Sequence, residues 1–188
     1  MTSAAKPERK QSAQNLVWID LEMTGLDPRL DVILQAALII TNADLVQLEE
    51  LMLDIWQPEP VLTRMTPYVR DMHTKTGLIE RVRASKIDLG MAERELMERV
   101  TGWCPYGAVL CGNSVGNDQA FIERWMPALA GYLSYRIIDV SSIKLLAKLW
   151  YGEAGVFSKP KDGEHDALFD IRQSVAELLH YRQKLFKP

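Results

Sequence analysis

Asp20 and Glu22 stand two residues apart at the end of an apolar run, NLVWIDLEM. A strand has a side-chain period of two, so both carboxylates point to one face. Two acids side by side in an apolar strand are costly to bury, and a cation between them removes that cost. A lone D-x-E is more often a solvated strand end, so the other acids carry the decision. Asp118 follows the Gly112-Asn113 break at the opening of a helix, where the helix dipole alone would explain an acid. Asp170 lies on the final helix, five residues after His165. Five helical residues turn through about 500°, so His165 must precede the helix to lean across to Asp170. Each acid alone has an ordinary structural explanation, and spacing does not overturn all four. Four acids without a histidine cluster favour a hard cation, Mg²⁺ or Mn²⁺, over zinc. One histidine beside them suits a general base.

The elements that must position these groups read as follows. Residues 15–21, 32–41 and 46–56 form three consecutive strands with short turns, an antiparallel meander. The third could also pass as a helix. The segment 24–28 (TGLDP) is a turn. After Pro60 the pattern becomes helical, with helices at 66–75, 77–84 and 91–103, the last showing an apolar stripe at 92, 96, 100 and 103. A strand at 108–111, a helix at 117–129 and a strand at 135–140 follow. Ser141 is the expected N-cap of a helix running to Trp150. Residues 152–163 read as a loop. A last helix begins near His165 with Leu168, Ile171, Val175, Leu178 and Arg182 on one side. Strands, then helices, then alternation of the two predicts an α/β fold with a mixed sheet, the antiparallel meander plus parallel strands, flanked by α-helices.

Composition narrows the function classes. The chain has 188 residues, 47% of them hydrophobic and 25% charged, which suits one globular domain over residues 15–188. Residues 1–14 are polar and are expected to form a mobile tail. With 22 basic against 25 acidic residues the net charge is −3, against a protein that grips long nucleic acid. An enzyme meeting nucleic acid at a small site stays open. Cys104 and Cys111 fit neither a zinc ribbon nor a redox pair and read as two reduced thiols. No apolar run is long enough for a membrane span and the amino terminus has no signal-peptide pattern, which points to the cytoplasm.

Four strings make the reading specific: VWIDLEMTGLDP (17–28), GNSVGND (112–118), YRIIDVSS (135–142) and HDALFDIRQSVAEL (165–178). Together they resemble the DEDDh group of 3′→5′ exonucleases, and within it the oligoribonuclease branch, from about Leu16 to the carboxyl end. The resemblance implies a ribonuclease-H-like fold. It also implies hydrolysis of very short RNA, dinucleotides above all, to mononucleotides with two divalent ions, Mg²⁺ or Mn²⁺. On its terms Asp20, Glu22, Asp118 and Asp170 hold the metals, Asp20 bridging both ions, and His165 is the general base. Leu26 and Tyr68 would wedge and stack the bases, Tyr68 standing where relatives often carry Trp. His73 would contact the substrate backbone. Ser114, Arg136 and Ser141 would cap the 5′ phosphate, with Tyr135 reaching it from the partner subunit of a homodimer. Gln35 departs from the Glu that many relatives carry and is expected to alter local hydrogen bonding only.

Two other readings compete. A DEDDh exonuclease trimming tRNA or DNA ends should carry basic patches, and the sequence offers a modest cluster at Lys144, Lys148, Lys159 and Lys161. A nucleotide-binding scaffold without catalysis would not need four acids and His165 intact.

Overall fold

The run 32–41 is apolar almost throughout because both faces of that strand are covered. In the computed structural model, which describes residues 11–158 and 166–186, all nine residues of strand β2 (Ile33–Thr41) are buried. It lies between β1 (Leu16–Met23) and β3 (Gln47–Asp54), antiparallel to each. β4 (Ala108–Gly112) and β5 (Leu133–Asp139) extend the sheet in parallel, giving the order β3-β2-β1-β4-β5. The mixed sheet expected from the sequence is therefore present, and the ambiguous third segment is a strand.

Helices cover both faces. On one, Val17, Ile19 and Leu21 pack with Leu96 and Val100 of α4 (Leu89–Trp103) and with Phe121 and Ile122 of α5 (Gly116–Trp125). On the other, Trp18, Ala37 and Ile39 pack with Val140 and Ala147 of α7 (Val140–Tyr151) and with Ile171 and Tyr181 of α8 (Ala167–Lys184). Alternation along β1 thus assigns Asp20 and Glu22 to the α8 face. A third cluster closes one end, where Leu34 meets Leu62 of α1 (Glu59–Leu62) and Val82 of α3 (Leu78–Ala84). Between those two helices runs α2 (Pro67–Lys75).

Several boundaries differ from expectation for local reasons. The helix expected over 117–129 is broken into α5 and α6 (Pro127–Tyr132). Pro127 has no N–H to continue α5 and disfavours helical geometry at Met126, whose φ is −131°. The N-cap of α7 is Asp139, not Ser141: its carboxylate accepts the Ser141 N–H. α4 starts two residues earlier than its stripe suggests, capped by Asp88 on the Met91 N–H. The stretch 152–163 contains a short 3₁₀ turn at Glu153–Gly155. Residues 1–10 of the expected tail lie outside the described residues, while the Ser12 N–H donates to the Trp103 carbonyl. Cys104 and Cys111 are both free and buried. Among the described residues no helix is long and apolar enough to cross a membrane.

Candidate active site

β4 ends at Gly112 and pairs with β1 only through Trp18, so the last residues of β1 run past it. A crevice at the carboxyl ends of parallel neighbours is where α/β sheets bind ligands. The Leu21 N–H has no β4 residue to meet there. It donates instead to Asp118 Oδ1, at 2.9 Å, from the first turn of α5. From the other face α8 lowers its first turn onto the sheet. Oxygens of Asp20, Glu22 and Asp170 lie within 4.8 Å of one another.

Three carboxylates so close repel one another. Burial, then the charges of Asp170, Asp118 and Asp166, push the Glu22 carboxyl up to about 8 from its ordinary 4.5. Burial also raises Asp118, opposed by the Leu21 N–H. An all-oxygen, acid-rich cluster that holds a proton near neutrality fits a hard divalent cation. Asp118 stands outside the group of three yet close enough to act on Glu22. His165 lies outside the described residues, two positions before the first residue of α8.

The remaining candidate residues fall into three places. Leu26 and Tyr68 are 77% and 76% exposed, on the loop after β1 and on the first turn of α2. The Leu26 loop is folded around Asp31, which accepts the Thr24 hydroxyl and the Asp27 N–H. A Cβ at Gly25 would come within 2.5 Å of that carboxylate, so a side chain there would displace Asp31 from Thr24 and Asp27. His73 is fully buried. Its Nε2–H donates to the Met23 carbonyl at 2.9 Å, and its Nδ1 lies 3.9 Å from Glu22 Oε2. The ring backs Glu22 from beneath the surface. Ser114 and Ser141 stand with hydroxyl oxygens 3.2 Å apart, and both backbone N–H groups donate to Asp139 Oδ1. Ser114 adopts a left-handed φ of 52°, uncommon for a residue with a Cβ. Arg136 stacks on the exposed ring of Tyr135, 4.6 Å from its centre.

Sequence reasoning missed a polar stripe on α8. Leu168, Ile171, Val175 and Leu178 of the expected stripe do pack against the sheet, but Ser174, Glu177 and Tyr181 beside them are buried as well, while Arg182 is exposed. Glu177 accepts from Tyr181 and from Asn113, and Asn113 in turn accepts the Ser141 hydroxyl. The signal was present: 170, 174, 177 and 181 follow the helical spacing and continue the face that carries Asp170.

Comparison with known proteins agrees with this geometry. A protein-family model described as Exonuclease matches residues 17–178. The oligoribonuclease of Ectopseudomonas mendocina is 44% identical over 179 residues, covering 94% of this chain and 99% of its own. That of Photorhabdus laumondii is 47% identical over 175 residues, covering 92% and 96%. The chain belongs to the oligoribonuclease family. It is a nuclease of the hydrolase class, and the mixed sheet is the ribonuclease-H-like sheet of exonucleases. Exonuclease I from Methylocaldum szegediense superposes with a TM-score of 0.73 at 20% identity, over 91% of this chain. Exonuclease I of E. coli, solved with an oligonucleotide, gives 0.72 at 17% over 94%. This chain spans about two fifths of those longer proteins, 41% and 42%, and the likeness is one of fold. The two oligoribonuclease relatives, by contrast, match over 92–94% of this chain and 96–99% of their own.

Proposed function

We propose that this oligoribonuclease-family chain removes 3′ nucleotides from very short RNAs, 5′-phosphorylated dinucleotides above all, releasing mononucleotides in the cytoplasm. The observation that carries the reading is the convergence of Asp20, Glu22 and Asp170 within 4.8 Å beside Asp118. These four acids would hold two divalent cations, Mg²⁺ or Mn²⁺. When bound, the cations supply an acidic attacking water and neutralise charge at the leaving 3′ oxygen.

The chain's own groups do the rest. Asp118 keeps one oxygen on the Leu21 N–H and leaves the other to the site, which fixes α5 against the end of β1. His73 holds Glu22 from behind through its ring and the Met23 carbonyl. His165, the histidine that the sequence resemblance assigns as general base, takes the proton of the attacking water. Leu26 and Tyr68, both exposed, wedge and stack the two bases; stacking tolerates any base. The Ser114 and Ser141 amides donate to Asp139, and the Ser114 amide also to Ser141 Oγ; the two hydroxyls would turn from each other and from Asn113 to receive the 5′ phosphate with Arg136.

A homodimer completes the site, Tyr135 crossing from the partner. The support is an apolar surface on α7 and the edge strand β5: Leu145, Leu149, Trp150 and Tyr135 are all exposed. Lys148 is paired with Glu153 and Lys144 lies 3.9 Å from Glu177, which leaves little basic surface there for long nucleic acid. Lys159 and Lys161 lie outside the described residues. The test is digestion of 5′-labelled RNAs of two to about ten nucleotides with Mg²⁺, Mn²⁺ or EDTA. Shortening from the 3′ end that stops in EDTA is the expected result, and full activity in excess chelator would refute the metal mechanism.

A further inference from the structure

The start of α8 is buried, and a buried helix start needs acceptors for the N–H groups that have no partner within the helix. Asp166 supplies one, accepting the Phe169 N–H. The Ala167 N–H finds its acceptor on another element altogether. It donates to Gln35 Oε1 of β2, at 3.3 Å. Gln35 is fully buried and lies directly opposite Glu22 in the ladder, so the two side chains share a face.

The other end of the amide is fixed as well. Gln35 Nε2 donates to Asp54 Oδ1 at 2.7 Å, and Asp54 Oδ2 accepts Arg81 Nε at 3.2 Å. Arg81 is anchored in turn on the Thr76 carbonyl. A carboxylate only accepts, so Asp54 forces the NH₂ end of Gln35 outward and its oxygen towards α8. The charge on Asp54 is met by Arg81. Gln35 therefore offers Ala167 an acceptor whose orientation is fixed from behind by Asp54 and Arg81.

We infer that Gln35 is a positioning residue of the metal centre. Held by Asp54 and Arg81, it pins the first residue of α8 and so sets Asp170, three residues on, against Glu22. The inference rests on the reading of Asp20, Glu22 and Asp170 as metal ligands.

Three variants test it: Gln35→Met, Gln35→Glu, and the double swap Gln35→Glu with Asp54→Asn. Gln35→Met keeps the volume and removes the acceptor. Gln35→Glu keeps the acceptor and sets two carboxylates face to face. In the swap, a carboxylate at position 35 still accepts the Ala167 N–H while an amide at position 54 donates to it. Calorimetric titration with Mn²⁺ alone should show affinity about tenfold weaker in both single variants and at least native in the swap. A change in melting temperature with unchanged Mn²⁺ affinity would reduce Gln35 to a packing role and overturn the inference, as would a swap that restores nothing. Amide exchange at Ala167 reads the same contact without metal. Protection should fall in Gln35→Met and return in the swap, and unchanged protection would also overturn it. A native protein that binds no Mn²⁺ would refute the metal centre instead, with Ala167 exchange still deciding whether Gln35 pins α8. If Gln35→Met fails to fold, Gln35→Glu against the swap gives the same comparison.

Discussion

Asp118 Oδ1 accepts the Leu21 backbone N–H at 2.9 Å, one residue from each of the acids on β1. The carboxylate takes the place that the next residue of β4 would fill if that strand ran on. One side chain thus closes the sheet edge and brings a fourth charge to the site. Asp118→Asn separates the two roles, because an amide oxygen can still accept the N–H. Turnover should fall by roughly 10²-fold or more, while the melting temperature in EDTA holds or rises as one charge acting on Glu22 is lost. Asp118→Ala should lose activity likewise and melt lower than Asp118→Asn, since a buried N–H without an acceptor costs about 1–3 kcal/mol. Equal melting of the two variants would contradict the structural half of that division.

The Glu22 carboxyl gives the metal-free protein a pH dependence of definite sign. It binds its proton more tightly folded, to about 8, than unfolded, near 4.5. Folding stability is therefore highest below pH 4.5 as far as this group is concerned, and falls as pH rises towards 8. The loss is at most about 4–5 kcal/mol, at roughly 1.4 kcal/mol for each pH unit that separates the folded from the unfolded chain. Denaturant melts in EDTA at intervals from pH 5 to 8 should show the decline. Glu22→Gln should flatten it, and Mn²⁺ should reverse it in the native protein. A native curve in EDTA as flat as that of Glu22→Gln would rule the effect out.

Only part of the acid cluster was legible from local geometry. Period two along 16–23 puts Asp20 and Glu22 on one face, whereas Asp118 and Asp170 were singled out by the strings around them and not by spacing. What pins them was not legible. Gln35 meets Ala167 across 132 positions of chain and Glu177 meets Asn113 across 64, and single-sequence periodicity carries no such pairing. The α5–α6 break was legible and passed over: Pro127 stands inside an apolar run whose periodicity masks it. The strand order β3-β2-β1-β4-β5 likewise depends on tertiary pairing, although the meander and the later alternation were enough for the class.

The apolar surface of α7 should be a twofold interface. Leu145 and Leu149, one turn apart, lie exposed with Leu146 and Trp150 beside them, while Ala147 faces the core. Leu149→Glu should convert a dimer to a monomer in light scattering at micromolar concentration. A twofold contact uses the same patch on both subunits, so one charge is placed twice. Activity on 5′-phosphorylated dinucleotides should fall with it, because Tyr135 no longer crosses. An active monomer in the native protein would refute the interface.

Length preference separates this reading from a general exonuclease. Asp20 and Glu22 sit at the end of β1, Ser114 lies just past the end of β4, and Ser141 is in the first turn of α7 directly after β5, all at one edge of the same sheet. The distance between the two ends of the substrate is therefore fixed by the fold. A 5′-phosphorylated dinucleotide would reach both, with its bases against Leu26 and Tyr68, and its binding energy would go into positioning. A longer strand would bring a bridging diester to the serines, with less charge and another nucleotide to accommodate. The rate on pNpN should exceed that on a heptamer by orders of magnitude. Removing the 5′ phosphate, or changing Arg136 to Ala, should erase most of that advantage and leave Mn²⁺ affinity unchanged. Equal rates on dimers and heptamers would discard the phosphate cap while the acid cluster of Asp20, Glu22 and Asp170 keeps its assignment, since nothing in that cluster reads length.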